Sequence, residues 1–444
     1  MKDLSVGRES KLIFRFAMPM LLGNVFQQLY NIIDSIIIGN YLGKEALGAV
    51  GASFPLIFAL MSFIIGIATG STIVIAQYFG SKDLKNVKKA IDTLYIFLFF
   101  ASIIISIIGI IFSKEIFRLI DLPENIIPDA VQYFNIFISG AILFFGFNGT
   151  SAILRGLGDS VTPLIFLIFS TIINILLDLL FVIVLKWGIS GVAIATIISQ
   201  GCAFIAVILY LNKYHKVIKF SILKLKFDKI IFRKSLRIGL PTGFQNTFVA
   251  LGMLALFRIV NMFGTDTIAA YSVAMRINSF VVMPAMNFAN ALAVFVGQNL
   301  GANKPKRINN GLKATLFMTS VISGTVTIIA ISFGRYIMGA FISDINVIEI
   351  GYQYLIIVGS FYIIFSTMFV VNGVMRGAGA TVVPMFITLI SLWIVRIPVS
   401  YFLSLEIGVT GIWWGIPVAW AVGMILSFVY YLSGRWKTKV VVKY

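Results

Sequence analysis

Cysteine and histidine are almost absent from this 444-residue chain: Cys202 and His215 are its only examples. A lone thiol closes no disulfide within the chain and builds no cysteine metal site. A lone imidazole builds no histidine cluster or relay. Acids are scarce too, 17 Asp and Glu against 35 Lys and Arg, in a chain only 12% charged. Nucleotide chemistry finds no motif. Arg155-Gly156-Leu157-Gly158-Asp159 resembles part of a phosphate-binding glycine loop, but no strand pattern precedes it and no Gly-Lys-Ser/Thr follows. A tight turn whose glycines supply positive φ is the better reading. No H-E-x-x-H, no G-x-S-x-G and no spaced His/Cys set is present, so the chain is expected to be neither an enzyme nor the holder of a cofactor.

What is abundant is apolar: 59% of residues, with a mean hydropathy of +0.99. Soluble domains are about half apolar and about a quarter charged. A core cannot hide this excess, so lipid must be the solvent. The net charge of +18 would suit nucleic acid. Here, however, the basic residues fall between apolar runs, where they meet lipid headgroups and set topology; membrane lipid is the expected partner and nucleic acid is not.

About 20 apolar residues cross a bilayer as a helix. Twelve such runs can be drawn, at 13–38, 49–77, 90–112, 130–153, 160–185 and 188–211, then 236–260, 268–299, 312–333, 350–374, 382–404 and 408–432. The first run is too long for the apolar core of a cleavable leader, so none is expected. The second six repeat the first. Leu154-Arg155-Gly156-Leu157-Gly158-Asp159-Ser160-Val161-Thr162-Pro163 returns as Met375-Arg376-Gly377-Ala378-Gly379-Ala380-Thr381-Val382-Val383-Pro384. Gln77, Gly80, Tyr133 and Pro19 likewise return as Gln298, Gly301, Tyr354 and Pro241. An even number of spans per copy gives both copies one orientation, related by an axis along the membrane normal. The expected fold is all-α and membrane-embedded, with twelve helices in two six-helix lobes related by a parallel repeat. The expected domains are 1–211, a basic linker 212–235, and 236–444 with a basic tail.

Sidedness follows from charge. With both termini and the linker in the cytoplasm, the outer loops hold only Lys44, Lys114, Arg118, Lys186, Arg258 and Arg335. Arg276 and Arg396 fall within spans, and the remaining basic residues are inside. The linker carries Lys213, Lys216, Lys219, Lys224, Lys226, Lys229, Arg233 and Lys234 and reads as an irregular or amphipathic segment on the inner leaflet of the cell membrane.

Ionisable residues within lipid are costly and usually face a cavity. Asp34 in span 1 and Asp178 in span 5 should reach similar depths in the outer part of the membrane. Tyr30 precedes Asp34 by one helical turn, as Asn174 precedes Asp178. Thr196 in span 6 returns to that depth. Pro19 lies deeper in span 1, where its missing N–H can free a carbonyl or permit a bend. Carboxylate, amide, phenol and hydroxyl oxygens in one lobe suit a proton site or a sodium site, the latter at Asp34, Asn174, Asp178 and Thr196. A helix cap or a headgroup-level ion pair is the plainer role for either acid. Arg276 and Arg396 read first as structural, bonding carbonyls or neutralising an acid, with substrate contact as the alternative. In the second copy the positions matching Asp34 and Asp178 offer Ala255 or Leu256, and Pro398 or Val399.

Over nearly its whole length the chain resembles the multidrug and toxic compound extrusion (MATE) family, in its DinF-like branch. The resemblance is carried by Pro19-Met20-Leu21-Leu22-Gly23-Asn24, by Gln28-Leu29-Tyr30-Asn31-Ile32-Ile33-Asp34, by Leu154 to Asp159, by Asn174-Ile175-Leu176-Leu177-Asp178 and by Val296-Gly297-Gln298-Asn299-Leu300-Gly301-Ala302. It implies a V-shaped pair of lobes, alternating access, and efflux of amphipathic, often cationic, compounds in exchange for H⁺ or Na⁺. It also implies a cation site at Pro19, Tyr30, Asp34, Asn174, Asp178 and Thr196. NorM-like members carry acids in spans 7 and 10; here Pro241 to Val249 and Ser366 to Phe369 hold none, which favours coupling in the first lobe. Adaptable Met and aromatic surfaces suit promiscuous binding in a Met- and Phe-lined central cavity, and Met275, Arg276, Met283 and Met286 in span 8, with Gln245 and Asn246 in span 7, are the candidate substrate contacts. The rival readings are a lipid-linked precursor flippase and, from another class, a membrane enzyme or sensor. A monomer is expected.

Overall fold

The computed structural model describes residues 2–120, 122–215 and 219–442. Lys216 of the linker lies outside the described residues. Away from water, a helix is the one way a single segment can satisfy its own backbone, and among the described residues there are fifteen α-helices and no strand. The first half forms α1 (Glu9–Tyr41), α2 (Gly43–Gly80), α3 (Leu84–Leu119), α4 (Ile127–Ser139), α5 (Ala141–Gly156), α6 (Val161–Asp178) and α7 (Gly188–Tyr214). The second forms α8 (Lys229–Asn261), α9 (Thr265–Gly301), α10 (Pro305–Gly339), α11 (Ile345–Gly359), α12 (Tyr362–Gly377), α13 (Val382–Leu389), α14 (Ile397–Ile407) and α15 (Val409–Leu432). A π-helical turn, Leu179–Val184, extends α6, and another, Ile390–Arg396, joins α13 to α14.

Nine of the described segments are long and apolar enough to cross a membrane singly, and two bent pairs qualify together. These pairs are the expected spans 130–153 and 350–374, broken by 53° between α4 and α5 and by 49° between α11 and α12. The first break falls at Gly140, where a side-chain carbon would stand 2.4 Å from Ile197 Cγ1. Only glycine lets the chain come that close to α7. α1, the first expected span, is 33 residues long but is not among these eleven.

The chain divides into two compact units, and not in chain order. The first comprises residues 1–2 and 18–239, the second residues 3–17 and 240–444. The expected division, 1–211 and 236–444 about a separate linker, therefore differs at both joints. Segment 3–17 belongs to the second unit because its backbone is bonded there. Leu4 N–H donates to Gln298 Oε1 at 2.8 Å, Asn299 donates to the Leu4 carbonyl at 3.2 Å, and Lys304 and Arg307 donate to the carbonyls of Ser5 and Gly7. Arg307 also pairs with Glu9 at 3.2 Å. The linker is held in the first unit in the same manner. Asp228 N–H donates to Thr93 Oγ1, Lys89 pairs with the Asp228 carboxylate at 3.1 Å, and Lys234 donates to the Tyr78 hydroxyl. Gly70 lets α2 meet α8 backbone to backbone: a side-chain carbon there would lie 2.4 Å from the Ser235 carbonyl oxygen. α1 and α8 thus each pass from one unit to the other, at Ala17/Met18 and Gly239/Leu240, and Pro19 and Pro241 follow at matching places.

The repeated glycines have repeated jobs. Gly156 brings α5 onto α2, where a side-chain carbon would meet Ile75 Cγ2 and the Thr72 carbonyl at 2.9 Å each; Gly377 brings α12 onto α9, where one would meet the Ala293 carbonyl at 2.3 Å. Two residues on, Gly158 and Gly379 take positive φ, 79° and 88°. Each closes its helix with the same bonds: Gly158 N–H to Arg155 O and Asp159 N–H to Leu154 O, Gly379 N–H to Arg376 O and Ala380 N–H to Met375 O, all 2.9 Å. The Arg-Gly-x-Gly runs are turns between spans.

Candidate functional site

Asn174 and Asp178 stand one turn apart on α6 and are buried, at 1% and 0% exposure. The face that buries them is opposite a lipid-facing one carrying Ile172 and Leu176, both exposed. Asp34 on α1 meets them. With its amide nitrogen turned to the acids, the orientation that satisfies both partners, Asn174 donates to Asp34 Oδ1 and Asp178 Oδ2 at 3.1 Å each. The two carboxyl groups are within hydrogen-bonding reach of each other. Two like charges that close cannot both persist out of water, so the pair must share a proton or hold a cation.

Thr196 on α7 donates to the Val192 carbonyl at 3.0 Å. The Tyr30 hydroxyl lies 3.2 Å from Thr196 Oγ1, where either oxygen can donate, and it also reaches the Asp34 carboxylate, which accepts its one proton. Asp34, Asp178, Asn174, Tyr30 and Thr196 are thus brought together within the first unit. Pro19 is not: it lies 15 residues earlier on α1, roughly 22 Å along a helix, and any influence it has must travel through that helix. The sequence reading missed Tyr133 of α4, buried and close enough to both carboxylates to interact electrostatically. Its one available signal was the recurrence of Tyr133 as Tyr354.

Among the described residues neither carboxylate is in an ion pair, and no group of three His, Cys, Asp or Glu could hold a metal. Asp178 Oδ1 is buried without a hydrogen-bond partner. Two carboxylates with amide, phenol and hydroxyl oxygens, and an acceptor left open, can bind one proton or one monovalent cation.

The second-copy candidates are more dispersed. The Tyr354 hydroxyl donates to Met275 Sδ at 3.7 Å, which turns Met275 toward the packed interior of the second unit. Met283 is half-buried, while Met286 and Arg276 are exposed. Gln245 donates to Thr388 Oγ1 at 2.7 Å, and Asn246 is half-buried. Arg396 is buried at 7% exposure.

A family profile described as MatE matches residues 19–180 and again 241–402, once in each copy of the repeat. The chain is 35% identical to the "Probable multidrug resistance protein YpnP" of Bacillus subtilis (strain 168), over 98% of its length and 97% of that protein. It is 22% identical to the "Multidrug export protein MepA" of Staphylococcus aureus (strain MRSA252), over 92% and 90%. Solved structures share the fold. One described as "MATE in the straight conformation" superposes with a TM-score of 0.91 at 21% identity, and one "in the bent conformation" with 0.91 at 23%, each covering 98% of both chains.

Proposed function

Because the chain belongs to the MatE family, we propose that it is a secondary active multidrug efflux transporter. In this reading it exports amphipathic, often cationic, compounds through the cell membrane in exchange for H⁺ or Na⁺ by alternating access, as a monomer with both termini in the cytoplasm. The names of its relatives support the cargo class. The coupling assignment rests on the buried Asp34–Asn174–Asp178 cluster, with its unpartnered Asp178 oxygen. A proton or sodium ion entering from outside relieves the repulsion between the two carboxyl groups. Its departure restores the repulsion, so occupancy changes how α1 and α6 pack and biases the access equilibrium. Met275, Arg276, Met283, Met286, Gln245 and Asn246 are proposed to contact cargo.

The test is efflux of a fluorescent cationic dye from proteoliposomes, driven by a pH gradient alone and by a sodium gradient alone. One gradient should drive export. Asp34→Asn and Asp178→Asn should each abolish that export while leaving dye binding intact. Export by Asp34→Asn at the wild-type rate would show that coupling runs elsewhere.

A further inference from the structure

The buried polar side-chain atoms without partners differ in kind between the two units. In the first they are acceptors: Asn135 Oδ1, Asp178 Oδ1 and Gln200 Oε1. In the second they are the Tyr271 hydroxyl, Ser391 Oγ, Arg396 Nε and Trp413 Nε1, every one able to donate and two able only to donate. Tyr271, Arg396 and Trp413 are respectively 3%, 7% and 0% exposed. They come from α9, the second π turn and α15. The Tyr271 and Trp413 rings stack at 5.5 Å, and Tyr354 meets both edge-on at 6.1 Å and 5.1 Å. The Arg396 guanidinium is within hydrogen-bonding reach of the Tyr271 hydroxyl, which can accept from it but still lacks an acceptor for its own proton, and lies close enough to Tyr354 to act on its hydroxyl. Among the described residues it has no carboxylate partner.

The π turns show how this arose from the repeat. A π turn takes in one extra residue. In the first copy it follows Asp178; in the second it precedes Ile397. Between those places the second copy runs one residue ahead, so Arg396 stands where Asn174 stands and Ser400 where Asp178 stands. Ser400, at 0% exposure, gives its proton to the Ile412 carbonyl. The helix position that joins two carboxylates in one unit therefore presents a cation without a carboxylate in the other. The one-residue advance also replaces the sequence pairing of Asp178 with Pro398 or Val399.

An uncompensated buried guanidinium is expensive. A water molecule would satisfy some of these donors but would not neutralise the charge. We infer that the Tyr271–Arg396–Trp413 cluster is a binding site for a small monovalent inorganic anion of the halide class. Its burial within one unit favours a small anion over a lipid headgroup. The anion supplies the acceptor that Arg396, Tyr271 and Trp413 lack and holds α9, the π turn and α15 together.

The experiment uses the full chain in nanodiscs, with chloride exchanged for gluconate at constant ionic strength. Chloride should raise the melting temperature saturably, and bromide should quench a saturable part of the tryptophan fluorescence that Trp413→Phe removes. Arg396→Gln and Tyr271→Phe should lose the chloride-dependent shift. Asp34→Asn should keep it, which separates this site from the proposed coupling site. A wild-type melting temperature equal in chloride and gluconate overturns the proposal, as does an undiminished shift in Tyr271→Phe or in Arg396→Gln. The wild-type and Tyr271→Phe measurements decide the matter even where Arg396→Gln does not fold. Sulfate or acetate matching chloride would overturn the restriction to halides.

Discussion

Asn174 matters because it donates two hydrogen bonds to two acids that otherwise repel. Asn174→Leu has similar bulk but no donor. It should stop gradient-driven dye efflux as completely as loss of an acid, with the protein still folded by circular dichroism. A second residue, outside the membrane, can be tested by pH. Asp228 caps α8, its carboxylate accepting from the N–H groups of Ile230 and Ile231 at 3.0 Å. The Ile231 N–H, with Lys89 and the Ile230 N–H, holds that carboxyl below the usual carboxylate range. A depressed carboxyl stabilises the fold above its ordinary range, and the gain is lost as pH falls through the depressed value. Asp228→Ala should therefore cost about 1 kcal/mol at neutral pH, and the penalty should fade in thermal melts taken into strong acid. Asp228→Asn should keep most of the cap. The acids were legible in the sequence because a charge in an apolar run is conspicuous. Tyr133 was not, because a tyrosine in such a run is ordinary until the packing of α4 decides where its ring points.

At the scale of the helix, the repeated glycines rank themselves by what surrounds them. A side-chain carbon at Gly377 would stand 2.3 Å from the Ala293 carbonyl, a backbone atom that cannot swing away, whereas at Gly324 nothing lies within 4 Å. Gly377→Ala should destabilise by about 1–3 kcal/mol through overpacking. Gly324→Ala should stabilise by up to about 1 kcal/mol through helix propensity. Melting temperatures of the two variants in one detergent test the contrast. The spans themselves were readable from hydropathy, since length and apolarity are local properties. The bends at Gly140 and between α11 and α12, and the two π turns, were not. They depend on what each helix must pack against, and a π turn leaves no composition signal.

At the scale of the molecule, each unit takes in the stretch of chain that opens the other copy. Removing residues 2–8 should take one hydrogen-bond partner from each of Gln298, Asn299, Lys304 and Arg307 in the second unit. The truncated chain should melt lower, and limited proteolysis should cut first between α9 and α10, near residues 302–304. Equal melting of the full and shortened chains would show those bonds to be worth little. The sequence by itself determined the membrane solvent, the doubled plan, the turns at Gly158 and Gly379, and the acids of the first copy. Each of these is written in composition, in local spacing or in the recurrence of a motif. The tertiary structure alone decided that residues 3–17 join the second unit, that Asn174 joins the two acids, and that Arg396 is buried without a counter-charge. These facts depend on which helices meet and on where along its span each copy takes its π turn, and side-chain encounters between distant segments leave no trace in linear order.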